Sequence, residues 1–258
     1  MSSRKLYKEK FYSSRDSQTK ESALIVLRLL FSYVQPQSMV DFGCGVGTWI
    51  KTGQELGVSE ILGLEGNWLE VKQLVIPEKN FQYQDLASKF DLGKQFDLAI
   101  SLEVAEHIEE KFSNNFIDNL TQASEIILFS AAIPGQRGSG HVNEQWPDYW
   151  IEKFKSRGYI PLDVIRPNIW NEVKVKSWYK QNSILFIRKE KLLEIPKLNK
   201  LDEENKSNWS LVHPDTFKRQ IEISHPKYSS LSQILTSLPS VTINSLKSIG
   251  KNIIRGLK

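Results

Sequence analysis

Short apolar runs separated by turn residues fill the stretch from 38 to 188. SMVDF (38–42), EILGLE (60–65), FQYQD (81–85), FDLAISL (96–102), EIILFSAAI (125–133), YIPLDVI (159–165) and SILFIR (183–188) each predict a strand. Between them the pattern turns helical. VGTWIKTGQEL (46–56) predicts a helix, and NWLEVKQL (67–74) a second one ended by Pro77. Helical material follows the fourth strand through KFSNNFIDNLTQAS. GQRGSGHVNEQW (135–146) reads as a glycine-rich loop, and Pro147 opens a helix that closes at Gly158. Strands that alternate with helices predict a doubly wound α/β fold: a mostly parallel seven-stranded sheet with helices on both faces.

The pattern breaks after Arg188. KEKLLEIPKLNKLDEENKSN is charged and interrupted by proline, which predicts a linker over 190–206. Residues 207–258 form a C-terminal extension, partly helical. In VTINSLKSIGKNIIRGLK, Ile243, Leu246, Gly250, Ile253, Ile254 and Leu257 fall near one helical face with lysines opposite. That tail reads first as a surface helix docked on the domain. An oligomer contact and adsorption to an anionic membrane are the other readings. Residues 1–34 precede the first strand and read as a helical lid segment, with 35–189 as the main domain.

The 258 residues suit one substantial domain plus an appendage. Cys44 is the only cysteine, which excludes an intrachain disulfide and fits a reducing compartment. MSSRKLYKEKFYSSRDSQTK has no apolar signal core, and ALIVLRLLF (23–31) is far too short to span a bilayer. A cytoplasmic protein is expected. Net charge is +4. Eleven of the 34 basic and seven of the 30 acidic residues lie from 190 onward, leaving 23 of each before it. The main body is therefore neutral, which argues against a dedicated nucleic-acid surface.

The candidate chemistry starts at VDFGCGVGTW (40–49). A strand ends in Asp41, and Gly43, Gly45 and Gly47 follow before a helix. A strand–glycine turn–helix unit fits a dinucleotide, with pyrophosphate on the helix N-terminus, or another nucleoside ligand. The dinucleotide pattern needs a third glycine where this chain has Thr48. The acids separate the two classes. Three successive strands end in carboxylates: Asp41, Glu65 and Asp85. Glu65 is placed to accept bonds from ribose hydroxyls, Asp85 from an adenine amino group, and Asp41 from an ammonium or a held water. An adenosine with a positively charged amino-acid tail, S-adenosylmethionine, has that shape.

VDFGCGVGTW, LGLEGNW, YQDL and FDLAISLEVAEHI together resemble the successive motifs of class I S-adenosylmethionine-dependent methyltransferases, over about 35–190. SLEVAEHI, LFSAAIPGQ and GHVNEQWPDYW resemble more closely a bacterial group within that family. The resemblance implies a Rossmann-like methyltransferase fold and S-adenosyl-L-methionine as cofactor. It implies that Asp41, Gly43, Gly45 and Gly47 line the methionine part and that Glu65 holds the ribose, with Gly66 beside it. Asp85 and Leu86 would meet the adenine, and Leu102 and Glu103 complete the set. The family often has Asp where this chain has Glu65; the longer side chain keeps the acceptor pair.

Methyl transfer to a hydroxyl needs alignment, exclusion of water and a base for the proton. Candidate bases follow the fourth and fifth strands. His141 ranks first because imidazole titrates near neutrality, with Glu144 or Glu103 as its orienter or substitute. His107 and Asn143 are candidate substrate contacts, and Trp146 and Tyr149 candidate substrate walls. His107 also has a plainer reading, packing against a loop. Trp150 and Phe154, four residues apart, read as core. Tyr12, Arg15 and Ser22 are candidates for a lid over the ligand, and Arg166, Asn168 and Gln181 for polar contacts. His141, Asn143 and Glu144 have donor atoms for a metal, but that set lacks a second histidine or a dense acidic cluster, so no metal is expected.

The sequence thus points to a methyltransferase acting on a small molecule, on an oxygen of a sugar or other hydroxylated metabolite. An RNA or protein methyltransferase is one alternative, opposed by the neutral main body. A non-catalytic cofactor-binding interaction protein is another. A nicotinamide oxidoreductase is disfavoured by Thr48.

Overall fold

The computed structural model describes residues 9–203 and 208–224, with side chains over 19–202 and 208–222. The chain begins with helix α1 (Glu9–Phe31), then β1 (Ser38–Phe42), α2 (Thr48–Glu55), β2 (Glu60–Glu65), β3 (Phe81–Tyr83) and β4 (Leu98–Leu102). It continues through α3 (Ser113–Ala123), β5 (Ile126–Ser130), α4 (Pro147–Lys155), β6 (Tyr159–Leu162), α5 (Arg166–Ile169) and α6 (Ser177–Asn182). The last elements are β7 (Ile184–Arg188), α7 (Lys189–Leu193), α8 (Pro196–Glu203) and α9 (Pro214–Ser224).

The seven strands form one sheet in the order β3-β2-β1-β4-β5-β7-β6. The first five are parallel, and β7 runs antiparallel between β5 and β6. The doubly wound, mostly parallel sheet expected from the sequence is the sheet found. Period-two alternation splits its side chains between two apolar layers. Met39, Ile100, Leu128, Leu185 and Ile187 face one layer with Val26, Leu27 and Leu30 of α1. Val40, Phe42, Ile127, Phe129 and Phe186 face the other, with Phe116 and Ile117 of α3 and Trp150 and Phe154 of α4. Burial on both faces explains why β4 and β5 are buried throughout and apolar but for one serine each.

β1 and β4 are neighbours, yet the chain leaves them toward opposite edges. This is the switch point of the sheet, where loops at the strand ends diverge and leave a crevice. The Ser101 hydroxyl donates to the Phe42 carbonyl at 3.0 Å and fixes the two strand ends in register.

Several local expectations change. The helix read over 67–74 is only a short 3-10 turn, Val71–Gln73. Its apolar residues do not share a face: Leu69 is buried, while Trp68 is exposed. The expected linker at 190–206 carries α7 and α8, because Leu192 and Leu198 plug into the core. Residues through His213 form one compact unit, and those from Pro214 a second, described here only as α9. The amphipathic stretch at 241–258 lies outside the described residues, as do the side chains of Tyr12 and Arg15. Ser22 faces the protein, accepting from the Lys176 N–H at 3.2 Å. Arg166, expected as a ligand contact, is buried and structural. It pairs through two bonds with Asp163, at 2.8 and 2.6 Å, and donates to the carbonyls of Asn208 and Trp209. No helix among the described residues is long and apolar enough to cross a membrane.

Candidate active site

The glycine turn leaves β1 at its carboxyl end. The N–H groups of Gly43 and Cys44 both donate to the Leu64 carbonyl, at 2.9 and 3.0 Å, which staples the turn to β2. Two of the three glycines answer to the protein itself. A Cβ on Gly43 (φ +86°) would lie 2.5 Å from Val104, and one on Gly47 (φ +94°) would lie 3.0 Å from Ile76. Gly45 (φ +54°) differs: a Cβ there would meet no atom within 4 Å. Its Cα faces open space at the mouth of the crevice.

Glu65 closes this turn from β2. Its Oε2 accepts the Gly45 N–H and its Oε1 the Gly66 N–H, each at 2.8 Å. Burial pushes its carboxyl upward, and the two amides pull it back only in part. Asp41 is 3% exposed, and no hydrogen bond reaches its carboxylate among the described residues. Burial first, and then the charge of Glu65, hold it well above the usual carboxylate range. The same surroundings push up the Cys44 thiol, so it is an inert buried group rather than a nucleophile. Two buried acids side by side, with no cation between them among the described residues, suit a positive ligand.

The adenine-side candidates are less enclosed. Asp85 is exposed and accepts the Ala87 N–H at 3.0 Å, beside buried Leu86. The indole of Trp68 lies over Gly66, where a Cβ would stand 2.0 Å from the ring. Trp68 is 57% exposed and was not singled out from the sequence, although it ends the LGLEGNW motif.

The second half of the crevice forms where β4 ends. Leu102 is buried, and Glu103 turns the chain with φ +59°, unusual for a residue with a side chain. Its N–H donates to the Ser130 carbonyl and hydroxyl oxygens, at 3.0 and 3.1 Å. Its carboxylate accepts from Gln136 Nε2 at 2.7 Å and Asn182 Nδ2 at 3.0 Å. Gln181 extends this net to Gln136 and Asn182, at 3.2 and 2.9 Å. Burial raises the Glu103 carboxyl despite these bonds and the nearby His141. Strain held by a dense polar net is the mark of a site kept in one geometry.

A turn at Ala105–His107 then meets the glycine-rich loop. The Glu106 carbonyl accepts the N–H groups of Val142 and Asn143, at 2.9 and 3.0 Å, and docks the loop. Glu144 ties the loop from within. Its Oε2 accepts the Gly135 N–H, and its Oε1 accepts the Arg137 N–H and lies against His141 Nδ1, all at 2.7 Å. His107 Nδ1 donates to the Gly140 carbonyl at 3.1 Å. The two imidazoles meet edge to face, 4.9 Å between centroids. His107 is held below its usual pKa, mainly by desolvation. The Glu106 side chain is fully buried, neither oxygen has a hydrogen-bond partner, and burial and then Glu103 push its carboxyl well up. The nearby amides of Glu106 and Ala132 temper this without offsetting it.

No protein-family model matches the chain, and no curated protein does. Solved structures to which it is similar include an amino pentose methyltransferase from Micromonospora echinaspora involved in calicheamicin biosynthesis. The two share 13% identity over 71% of this chain and 98% of the other, with a TM-score of 0.49. A plantazolicin methyltransferase shares 12% identity over 69% and 88%, with a TM-score of 0.47. The magnesium protoporphyrin IX methyltransferase of Synechocystis shares 19% over 67% and 80%, with a TM-score of 0.45. Each was solved with S-adenosylmethionine or S-adenosylhomocysteine bound. The fold of this chain stands on its own strand order and register.

The sequence-derived candidates thus fall into two groups. Asp41, the three glycines, Glu65 and Gly66 come together, and Gly43 packs on Val104 next to Glu103. His107, His141 and Glu144 form the second group. Asn143 is turned inward, its Nδ2 donating to the Ser113 hydroxyl at 3.1 Å and its Oδ1 accepting from Gln145 at 2.9 Å. Trp146 is 42% exposed, and Tyr149 packs on Trp150 under the Lys153 ammonium. Trp49 and Tyr179 meet edge to face at 5.1 Å, and burial, with smaller contributions from the charges of Glu103 and Asp41, pushes the pKa of the Tyr179 hydroxyl up to about 12. A cavity of about 800 Å³ opens elsewhere, at the amino ends of the strands between Tyr33, Asp97, Glu125 and Lys191.

Proposed function

We propose that this chain is an S-adenosylmethionine-dependent methyltransferase acting on a small molecule, at an oxygen of a sugar or other hydroxylated metabolite. The observation that carries this reading is the pair of buried carboxylates, Asp41 and Glu65, at the carboxyl ends of adjacent strands beside an open glycine. A pyrophosphate would be repelled by both. An ammonium or sulfonium would relieve both.

The residues fit the cofactor by their chemistry. Asp41, Gly43, Gly45 and Gly47 would hold the methionine end. Glu65 has lone pairs left after its two backbone bonds and would take ribose hydroxyls, with Gly66 and Trp68 beside them. Asp85 and Leu86 would meet the base, and Leu102 and Glu103 would close the inner wall. When bound, the cofactor supplies the methyl group from its sulfonium. On the acceptor side, Glu144 holds the His141 Nδ1–H and so leaves Nε2 unprotonated, 3.9 Å from Glu106 Oε1. The Nε2 lone pair would take the proton of an acceptor hydroxyl as the methyl is transferred. Trp146 and Tyr149 stand beside this loop as substrate walls.

The test is release of S-adenosylhomocysteine from S-adenosylmethionine across a panel of sugars and other hydroxylated acceptors. Wild type should turn over at least one. His141→Ala should lose turnover and keep cofactor affinity. Turnover only on RNA or protein would move the acceptor class, and none on any acceptor would favour a binding protein.

A further inference from the structure

We propose that Glu106, His107 and His141 form a binding site for one divalent first-row transition-metal ion, of the manganese, cobalt or zinc type. One potential ligand atom from each residue lies within 4.8 Å of the other two. This juxtaposition depends on the fold, because His141 comes from the loop after β5 and the other two from the turn after β4.

Three independent features support it. The first is the state of Glu106. Its side chain is completely buried, and neither carboxylate oxygen has a hydrogen-bond partner. As placed, even a protonated Oε1 would lie beyond hydrogen-bond reach of the nearest imidazole lone pair, and the amides of Glu106 and Ala132 only temper the buried charge. Oε1 points toward the histidines, 3.9 Å from His141 Nε2.

The second is the orientation of the imidazoles. His107 Nδ1 faces the Gly140 carbonyl, which only accepts, so that nitrogen carries the proton and Nε2 keeps its lone pair. His141 Nδ1 faces Glu144 Oε1, with the same consequence. A ligating histidine ordinarily donates its other N–H to a carbonyl or carboxylate, and here one ring has each kind of support.

The third is the loop's construction. A Cβ on Gly138 would stand 2.0 Å from His141 Nε2, so the chain leaves out a side chain where the ring sits. Two imidazoles and one carboxylate favour transition ions over magnesium or calcium, which prefer all-oxygen shells. Three protein ligands also leave positions open for water or substrate. On the methyltransferase reading above, on which this clause alone rests, the ion would occupy the His141 lone pair and take over its task, lowering the pKa of the acceptor hydroxyl so that the proton passes to water.

The experiment is titration of chelator-stripped full-length protein with Mn2+ by calorimetry and with Co2+ by visible absorption, with no cofactor present. The expected result is one ion per chain and a Co2+ band that reports nitrogen ligation. Glu106→Gln and the more accessible His107→Gln should each weaken Mn2+ at least about a hundredfold, with Glu144→Gln weakening it about 10- to 100-fold. Far-ultraviolet circular dichroism of each variant checks the fold. No stoichiometric binding, or unchanged binding in folded His107→Gln, overturns the site. Metal binding with no affinity for S-adenosylhomocysteine would leave the site standing and sink the methyltransferase reading instead.

Discussion

Glu144 Oε1 lies 2.7 Å from His141 Nδ1 and also accepts the Arg137 N–H at 2.7 Å. One carboxylate therefore sets both the tautomer of the imidazole and the path of the loop that carries it. Glu144→Gln keeps the shape but presents an N–H where an acceptor is needed. Turnover should fall about 10- to 100-fold. Affinity for S-adenosylhomocysteine should stay within about threefold, because the cofactor group is separate. Steady-state kinetics with parallel calorimetry separates the two effects.

Asp41 gives a pH signature. Its folded pKa is raised well above 3.8 by burial and then by Glu65. A raised carboxyl stabilises the fold fully below its unfolded value, and that contribution is lost as pH climbs through the folded value. Asp41→Asn should therefore raise the Tm of the ligand-free protein at pH 8, with the gap from wild type shrinking toward pH 4. The same variant should bind S-adenosylmethionine more weakly. A pH-independent gap in Tm would remove Asp41 as the strained acid.

Glu65→Ala removes the acceptor of two backbone N–H groups together with the proposed ribose partner. Cofactor affinity should drop by about 1–3 kcal/mol. Unchanged affinity in the folded variant would refute the ribose role.

The glycines should separate by mechanism. Gly43→Ala drives a Cβ into Val104 and should destabilise the fold, with Val104→Ala recovering part of the loss. Gly45→Ala meets no protein atom, so its stability cost should be confined to the left-handed backbone, about 1–2 kcal/mol. Its main effect should be on cofactor affinity. Thermal unfolding and calorimetry on the three variants read both outcomes.

The sheet, and the meeting of the strand-end acids Asp41 and Glu65 at the glycine turn, were legible because local signals carried them. EILGLE runs as β2 from Glu60 to Glu65 as read, since an apolar run bounded by an acid and Gly66 leaves little choice. α7 and α8 were hidden by charge: Leu192, Ile195 and Leu198 recur every three residues inside a polar, proline-broken stretch. The net joining Glu103, Gln136 and Asn182 was invisible because its members come from distant loops. The expectation of no metal rested on the lack of a second histidine near His141, and the fold brings His107 to it from 34 residues upstream. Contacts of that kind come from topology, which periodicity does not encode.

The most direct test of the central claim is calorimetric titration of the full chain with S-adenosylmethionine, S-adenosylhomocysteine and NAD. Micromolar binding of the first two and none of NAD is expected, because Asp41 and Glu65 favour a cationic tail and repel a pyrophosphate. Binding of NAD with no affinity for either adenosyl compound would contradict it and return the glycine turn to the dinucleotide class.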